Sequence, residues 1–223
     1  MEPRPEEVHA KRERRKQARP GELLDAALDL FVEKGYAATR VEEVALRAGV
    51  SKGTLFLYFP SKEALFKAVV RESIAGRLAE WNEEFARFEG STADMLRYCM
   101  TSWWERVGAT RASGVTKLML SEADNFPEVA AYYRDEVVTP GMALIRRILQ
   151  RGVDRGEFRI DDLEYAALAV VAPMIYLQMN KHSHSACAPA GLPIDPARYL
   201  RLQADVLLRG LCARAEGPDG SSR

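Results

Sequence analysis

Apolar residues recur at intervals of three and four along almost the whole chain, and this spacing is the feature that most restricts its fold. Side chains three and four positions apart lie on one face of an α-helix, whereas a strand places every second residue on one face. Alternation over several residues is hard to find in this sequence. The predicted fold class is therefore all-α, with a small N-terminal domain of three helices joined to a larger helical bundle.

Turn-forming residues divide the chain into predicted segments. Pro20 and Gly21 precede the first helix, which ends at Gly35, and Pro140 and Gly141 predict a kink in a later one. The predicted domains are a basic flexible arm over residues 1–19, a three-helix domain over 20–66, a bundle over 67–215 and a disordered tail over 216–223. The helices of the bundle are expected at residues 61–88, 92–108, 112–124, 127–154, 161–181 and 196–214.

Start and stop signals for two short helices lie close together after Gly35. Thr39 followed by Glu42 has the spacing of a capping box and predicts a helix from about residue 40. Gly49 ends that helix, because glycine tolerates the positive φ of a sharp turn, and Ser51 caps the next helix. Two short helices joined by such a turn are typical of a DNA-binding helix-turn-helix, whose second helix enters the major groove.

The second of these helices has two different faces. Leu55 and Phe59, four positions apart, are predicted to point into a small core. The opposite side presents Lys52, Gly53, Phe56 and Leu57. Gly53 has two interpretations: it allows the backbone to approach a base edge closely, or it avoids a clash with the preceding helix.

Groups around this face suit phosphate oxygens. Tyr58 and Lys62 lie beyond the base-facing set, and the capped helix starts near Thr39 and Ser51 offer backbone amides, although a solvated surface is the alternative. The net charge of the chain is zero, but a basic run lies between residues 11 and 19. This run attracts phosphate or is simply a solvated tail. Its basic residues are Lys11, Arg12, Arg14, Arg15, Lys16 and Arg19.

The stretch from Leu23 to Phe66 reads LLDAALDLFVEKGYAATRVEEVALRAGVSKGTLFLYFPSKEALF and includes AGVSKGTL from Ala48 and SKEAL from Ser61. This stretch resembles the DNA-binding domain of the TetR family of transcriptional regulators. The resemblance implies that Lys52, Gly53 and Phe56 approach bases. It implies that Thr39, Ser51, Leu57, Tyr58 and Lys62 touch or line the DNA backbone. The whole predicted DNA-binding set is Thr39, Arg40, Ser51, Lys52, Gly53, Thr54, Phe56, Leu57, Tyr58 and Lys62.

One position departs from the family pattern. The family often has tyrosine where this chain has Phe56, so a hydroxyl contact is missing and recognition there should be apolar, for example against a thymine methyl.

For the rest of the chain, the resemblance implies a bundle that binds an effector and forms a homodimer through its last two helices. The last two predicted helices carry apolar residues at helical spacing, and an ordinary intramolecular core is the alternative. A two-fold, palindromic operator also favours a two-fold protein. The predicted dimer residues are Leu168, Val171, Ile175, Leu200, Leu207 and Leu211.

Bulky apolar and sulfur-containing residues in the bundle suit a pocket for a small apolar or aromatic effector. Such residues more often form ordinary core. The predicted ligand-binding residues are Met95, Tyr98, Cys99, Trp103, Met119, Met174 and Tyr176, and Trp104 belongs to the same group of bulky side chains.

No cofactor and no metal are predicted. His182, His184 and Cys187 form a short cluster that could hold a soft metal, but it lacks a fourth ligand nearby. The three cysteines are odd in number and widely spaced, which argues against a disulfide framework. The chain has neither a signal peptide nor an apolar run of membrane-spanning length, so a cytoplasmic protein is expected.

The leading hypothesis is a DNA-binding regulator, most simply a repressor that leaves its operator when effector binds. A helical enzyme is disfavoured, since there is neither a glycine-rich phosphate loop nor a convincing nucleophile and base. A helical module that binds a protein partner through Phe56 and Leu57 is the third hypothesis.

Overall fold

The computed structural model describes the backbone of residues 5–182 and 194–212, with side chains from residue 20 onward in these ranges. All the regular elements in these ranges are helical, which confirms the all-α prediction. None of these helices is long and apolar enough to cross a membrane. The α-helices are α1 (Pro5–Ala38), α2 (Val41–Arg47), α3 (Lys52–Tyr58), α4 (Lys62–Val70), α5 (Gly76–Ala86), α6 (Thr92–Trp103), α7 (Ser113–Glu122), α8 (Pro127–Tyr133), α9 (Thr139–Asp154), α10 (Leu163–His182) and α11 (Pro196–Leu211).

Three short π-helical turns occur: Arg71–Ala75 joins α4 to α5, Trp104–Gly108 extends the end of α6, and Arg134–Val138 joins α8 to α9. The last of them accounts for the irregularity that Pro140 predicts. Because proline lacks an amide and its ring meets the carbonyl four residues earlier, it is accommodated in the first turn of a helix, and Pro140 lies in the first turn of α9. The helical hydrogen-bond pattern therefore changes just before Pro140.

The chain forms two compact units. The first contains Met1–Arg77 and Thr110–Val137, and the second contains Leu78–Ala109 and Val138–Arg223. Segment 110–137 belongs to the first unit because α7 packs on α1 and α8 packs on α4. The units thus group the residues differently from the predicted domain boundary after residue 66.

Helix α1 begins at Pro5, so the predicted start after Gly21 is wrong. Residues 5–19 consist largely of glutamate, lysine, arginine, alanine and glutamine, which are strong helix formers, and Pro20 lies inside the helix. At the other end, Gly35 has non-helical angles, φ 88° and ψ 167°, where the sequence predicts the helix to end.

The turn after Gly35 differs from the predicted capping box. Thr39 is 2% exposed, and its hydroxyl donates to the carbonyls of Leu30 at 3.1 Å and Gly35 at 2.7 Å. Arg40 is the N-cap of α2, and its amide donates to the Glu43 carboxylate at 3.4 Å. The predicted pairing of Thr39 with Glu42 is therefore wrong: the threonine hydroxyl serves the preceding helix instead of the following one.

Helix α7 reaches this same turn through Glu122. One carboxylate oxygen accepts from the amide of Tyr36 at 3.2 Å, and the other accepts from the amide of Ala37 at 3.0 Å. A Cβ atom at Gly35 would collide with this carboxylate, and the positive φ of Gly35 also disfavours a side chain. Glu122 thus accepts hydrogen bonds from the two amides that directly follow the non-helical Gly35.

An aromatic cluster packs beneath the turn. Tyr36 lies 5.7 Å from Phe31, 5.3 Å from Phe66 and 4.7 Å from Phe126 between ring centroids. Phe31 and Phe66 are fully buried, and burial raises the pKa of Tyr36 to about 12. The cluster joins α1 and α4 to the loop before α8, and its edge-to-face pairs are a favourable geometry for aromatic rings.

Replacing Glu122 by alanine should destabilise the protein, because the Tyr36 and Ala37 amides lose their acceptors in a partly buried site. We expect the free energy of unfolding to fall by about 1–3 kcal/mol. Urea denaturation of Glu122→Ala, compared with the exposed neighbour Asp124→Ala, measures the loss; equal stability of the two variants would show that the carboxylate does not hold the turn.

Candidate nucleic-acid interface and ligand cavity

Helices α2 and α3 meet at a sharp turn, as the sequence predicts. Gly49 has φ 66°, and the hydroxyl of Ser51 accepts from the amide of Thr54 at 3.0 Å, which caps α3. Val44 and Leu55 are fully buried between the helices. The helix-turn-helix is thus held by one positive-φ glycine, one capping hydroxyl and a small apolar contact.

The faces of α3 are arranged as predicted. Leu55 is buried and Phe59 is half-buried, whereas Lys52 and Gly53 are exposed. Leu57 is 84% exposed, and Phe56 and Tyr58 are 38% and 37% exposed. Helix α3 therefore presents two large apolar side chains, a tyrosine and a lysine to the solvent.

Gly53 lies at a position where a side chain would fit. A Cβ atom built there has only the Ser51 hydroxyl oxygen nearby, at 3.8 Å, which is an ordinary van der Waals distance. The interpretation that Gly53 avoids a clash with the preceding helix is therefore wrong. Glycine lowers the stability of α3 at this position, and the packing inside the protein does not require it.

Lys52 has two neighbours on this surface. Its ammonium forms an ion pair with Glu42 of α2 and lies 5.7 Å from the centroid of the Phe56 ring. The hydrogen bond from Lys52 is the main reason that the pKa of the Glu42 carboxyl is held below its usual value. Lys52, which the sequence predicts to contact DNA bases, is thus paired with Glu42 in the protein without DNA.

Lys62 points into the protein. Its ammonium donates to the carbonyls of Tyr36 at 2.8 Å, Ala37 at 3.2 Å and Thr39 at 3.2 Å, and lies 4.6 Å from the Tyr36 ring centroid. Burial lowers the pKa of Lys62. The structure therefore does not bring the side chains of Thr39 and Lys62 to the surface around α3. Arg40 and Ser51 are exposed, and Thr54 is half-buried.

The predicted ligand-binding residues are spread over both units. Met119 is buried in the first unit, whereas the other six belong to the second. Met95, Cys99 and Met174 are buried, and Trp103 is half-buried. Tyr98 donates to Glu84 at 2.9 Å on an exposed surface, and Tyr176 is also exposed.

The second unit contains a cavity of about 270 Å³, and Met95 is its one predicted residue. Its apolar lining consists of Phe85, Ala86, Met95, Leu144 and Ile148. Its polar lining consists of Asn82, Arg147 and Arg151. Sequence reasoning missed the arginines, although their spacing of four residues on α9 places them on one face, next to Leu144 and Ile148.

The two arginines of the cavity differ in their contacts. Arg151 donates to the carbonyls of Phe88 at 3.2 Å and Gly90 at 2.9 Å and to the hydroxyl of Thr92 at 3.1 Å, so it holds the loop between α5 and α6. Arg147 is exposed and donates to the side-chain oxygen of Asn82. Within residues 20–182 and 194–212, neither guanidinium lies at salt-bridge distance from a carboxylate.

The predicted dimer residues include one that belongs to the core. Leu200 is 1% exposed, so it packs within the second unit. Leu168 is exposed, and the other four are half-buried. The predicted dimer set omits several exposed apolar residues on α10 and α11. The sequence of α10 is apolar on all sides, and such a helix is normally buried on all sides, so this pattern could have indicated a covered surface. The omitted residues are Tyr165, Tyr176, Leu202 and Val206.

Cys99 and Cys212 are free thiols, and complete burial raises the pKa of Cys99 to about 12. His184 and Cys187 of the predicted soft-metal cluster lie outside the described residues. The described part of the chain holds no group of three or more metal-binding side chains.

Comparison with family models agrees with this architecture. The model described as bacterial regulatory proteins, tetR family, matches residues 23–69, and that described as Tetracyclin repressor-like, C-terminal domain, matches residues 86–185. The HTH-type transcriptional repressor KstR2 of Rhodococcus jostii is 31% identical over 153 residues, which cover 68% of this chain and 74% of that protein. The chain belongs to the TetR family of transcriptional regulators.

Two further proteins are similar over different lengths. The HTH-type transcriptional regulator RutR of Escherichia coli K12 is 46% identical over 79 residues, 34% of this chain, and the match spans only 37% of RutR. The crystal structure of FadR from Bacillus subtilis in complex with stearoyl-CoA has a TM-score of 0.67 at 19% identity and covers 85% of this chain and 97% of FadR.

Replacing Glu42 by glutamine should strengthen DNA binding, because it releases Lys52 and removes a negative charge that repels phosphate. An exposed ion pair is worth up to about 1 kcal/mol, so we expect a two- to fivefold gain in affinity, roughly. Fluorescence anisotropy with duplex DNA measures it. As a control, Glu83→Gln removes the same charge from the exposed pair with Arg87 and should leave the DNA affinity unchanged. An equal gain in affinity in this control would show that the effect comes from the net charge of the protein and not from the release of Lys52.

Proposed function

We propose that this chain is a repressor that reads a palindromic operator as a homodimer and leaves it when a small effector binds the second unit. The observation that carries the proposal is the solvent-facing side of α3. Phe56 and Leu57 are exposed on the same helix as Lys52. Gly53 leaves the backbone of α3 uncovered on this face, although the interior has no packing reason for a glycine there. A helix with such a face suits the major groove, where close backbone approach and apolar contact both contribute.

The residues of this face have different roles in the proposal. Lys52, once released from Glu42, supplies a donor to a base edge or a phosphate, and Phe56 packs against a thymine methyl. Gly53 lets the first turn of α3 approach the bases. Leu57 and Tyr58 lie along the sugar-phosphate backbone and set the position of the helix without selecting sequence.

Phosphate contacts at the edge of the face come from groups that remain accessible. Arg40 is exposed at the start of α2, and Ser51 is exposed at the start of α3. Lys62 takes a positioning role, since it holds the carbonyls at the end of α1. Its removal would therefore alter the orientation of α2 and not merely delete one contact.

The homodimer is proposed to form on α10 and α11. Tyr165, Leu168 and Leu202 are more than half exposed, so three large side chains of these two helices are open to water in the single chain. A second copy covers such a patch most simply through a two-fold interface, in which both subunits use the same surface. Two recognition helices related by that axis match the two halves of a palindrome.

Effector release is supported by the relatives. KstR2 is named a repressor, and the FadR structure holds stearoyl-CoA, so regulators of this fold combine DNA binding with small-molecule binding. In this chain the cavity of the second unit is proposed to take the effector. An effector weakens DNA binding to the extent that it prefers the dimer geometry that does not fit successive major grooves.

Gly53→Ala tests the proposal because it separates stability from recognition. Alanine should raise the free energy of unfolding by about 0.5–1 kcal/mol. It should nevertheless lower the affinity for operator DNA at least tenfold, because its methyl group keeps the helix away from the bases. Anisotropy with the intergenic DNA beside the gene, against scrambled duplex at physiological salt, gives the affinity, and thermal denaturation gives the stability.

Gly141→Ala is the matched control, since Gly141 also lies in the first turn of a helix, α9, and a Cβ there would come no nearer than 3.9 Å to the Leu78 side chain. It should stabilise the protein without changing DNA affinity. If Gly53→Ala binds operator as well as the unaltered protein does, the face of α3 does not read bases. If the unaltered protein shows no preference for the intergenic DNA over scrambled duplex, the exposed Phe56 and Leu57 are better explained by a protein partner.

A further inference from the structure

We infer that the cavity of the second unit takes a small anionic amphiphile, a short apolar tail with a carboxylate or phosphate group, instead of a purely apolar molecule. This inference rests on the proposed function for its regulatory meaning but not for the binding itself. It starts from the unusual lining of the cavity, where apolar side chains lie next to two guanidinium groups.

The apolar part of the lining suits a hydrocarbon chain or a single ring. Phe85, Met95, Leu144 and Ile148 are all buried side chains that also line the cavity. The flexible methionine side chain adapts to irregular shapes, and these four side chains carry no hydrogen-bonding group that an apolar tail would leave unpaired.

The size of the cavity limits the tail. Its 270 Å³ lies just below the range of roughly 300–1,000 Å³ that is usual for ligand pockets. A medium-length acyl chain or a substituted aromatic ring suits a cavity at this lower end better than a stearoyl chain does.

The charge of the lining selects the head group. Arg147 is exposed, and among residues 20–182 and 194–212 its guanidinium bonds to the neutral Asn82 alone, so most of its five N–H donors remain available. A guanidinium pairs with carboxylate or phosphate through two parallel hydrogen bonds. A neutral alcohol would accept one hydrogen bond, and a cation would be repelled.

Arg151 contributes positive charge while it remains anchored. Its hydrogen bonds go to the loop between α5 and α6. The carboxylate of nearby Glu157 accepts from the amide of Thr92 and pairs with Arg155 at 2.6 Å. Glu157 is therefore engaged with Arg155, which does not line the cavity. Arg147 is left as the group that an anionic ligand would neutralise.

The test uses isothermal titration calorimetry on the full chain without DNA, with octanoate, octyl phosphate and 1-octanol as probes. We expect both anions to bind, and 1-octanol to bind at least tenfold more weakly. Arg147→Gln should weaken octanoate binding roughly tenfold, the effect of one lost charge-assisted pair, without changing the affinity for 1-octanol. The ratio of the two anion affinities shows whether carboxylate or phosphate is the better head group.

Arg146→Gln is the matched control. Arg146 is the neighbouring residue on α9, but it pairs with Glu164 at 2.7 Å and does not line the cavity. This variant should bind octanoate as the unaltered protein does, and thermal denaturation should show both variants folded. Arg147→Lys, which keeps the charge but not the paired donors, should fall between the two.

Three results would overturn the inference: no octanoate binding, equal affinities for octanoate and 1-octanol, or an Arg147→Gln variant that binds octanoate normally. Palmitate that binds as tightly as octanoate would contradict the size limit. A separate titration of the protein–operator complex with octanoate distinguishes the two proposals. If octanoate binds the free protein but does not release DNA, the proposed ligand class stands and the proposed release by effector is refuted. If the protein shows no specific DNA binding at all, only the proposed function is refuted.

Discussion

The turn between α1 and α2 is the constraint on which the rest of the first unit depends. Its amides donate to Glu122, its carbonyls accept from Lys62, and the hydroxyl of Thr39 bonds back to α1. These bonds satisfy backbone groups that a buried helix end would otherwise leave unpaired, at a cost comparable to a lost hydrogen bond for each group. Both the course of the chain into α2 and the packing of α7 follow from them.

This turn fixes where α3 can point. Arg40 is the N-cap of α2 and directly follows the bonded segment. Helix α3 packs on α2 after the turn at Gly49, and Val44 and Leu55 are fully buried in these two helices. The exposed face of α3 is therefore oriented by a chain of short-range contacts that begins at Glu122. Ion pairs on the surface, such as Lys34 with Glu43 at 2.8 Å, add little to this arrangement because they are exposed.

Local signals in the sequence were sufficient for the helix-turn-helix itself. Gly49 and Ser51 act on amides within a few residues, so their roles follow from chain spacing, and the period of α3 separates Leu55 from Leu57. The all-α fold and the longer helices were predictable for the same reason. The start of α1 was not, because Pro20 looks like a boundary although the residues before it favour helix strongly.

Long-range contacts explain what the sequence could not predict. Lys62 looks like a phosphate ligand until its acceptors, 23 to 26 residues earlier, are known, and Glu122 lies 85 residues from the amide of Ala37. Arg147 likewise reads as a solvated charge until α5 and α6 bring Phe85 and Met95 beside it. Tertiary placement alone separates an inward lysine from a DNA contact, and a cavity arginine from a surface one.

The membership of segment 110–137 in the first unit bears on how regulators of this kind can be recombined. Glu122 and Phe126, which hold the turn after α1, come from a part of the sequence that the C-terminal family model covers. In a chimaera joined after α4, the turn after α1 would face another protein's residues in place of Glu122 and Phe126. In this chain the helix-turn-helix and its supporting turn thus form a unit from two separate stretches of sequence, residues 1–77 and 110–137.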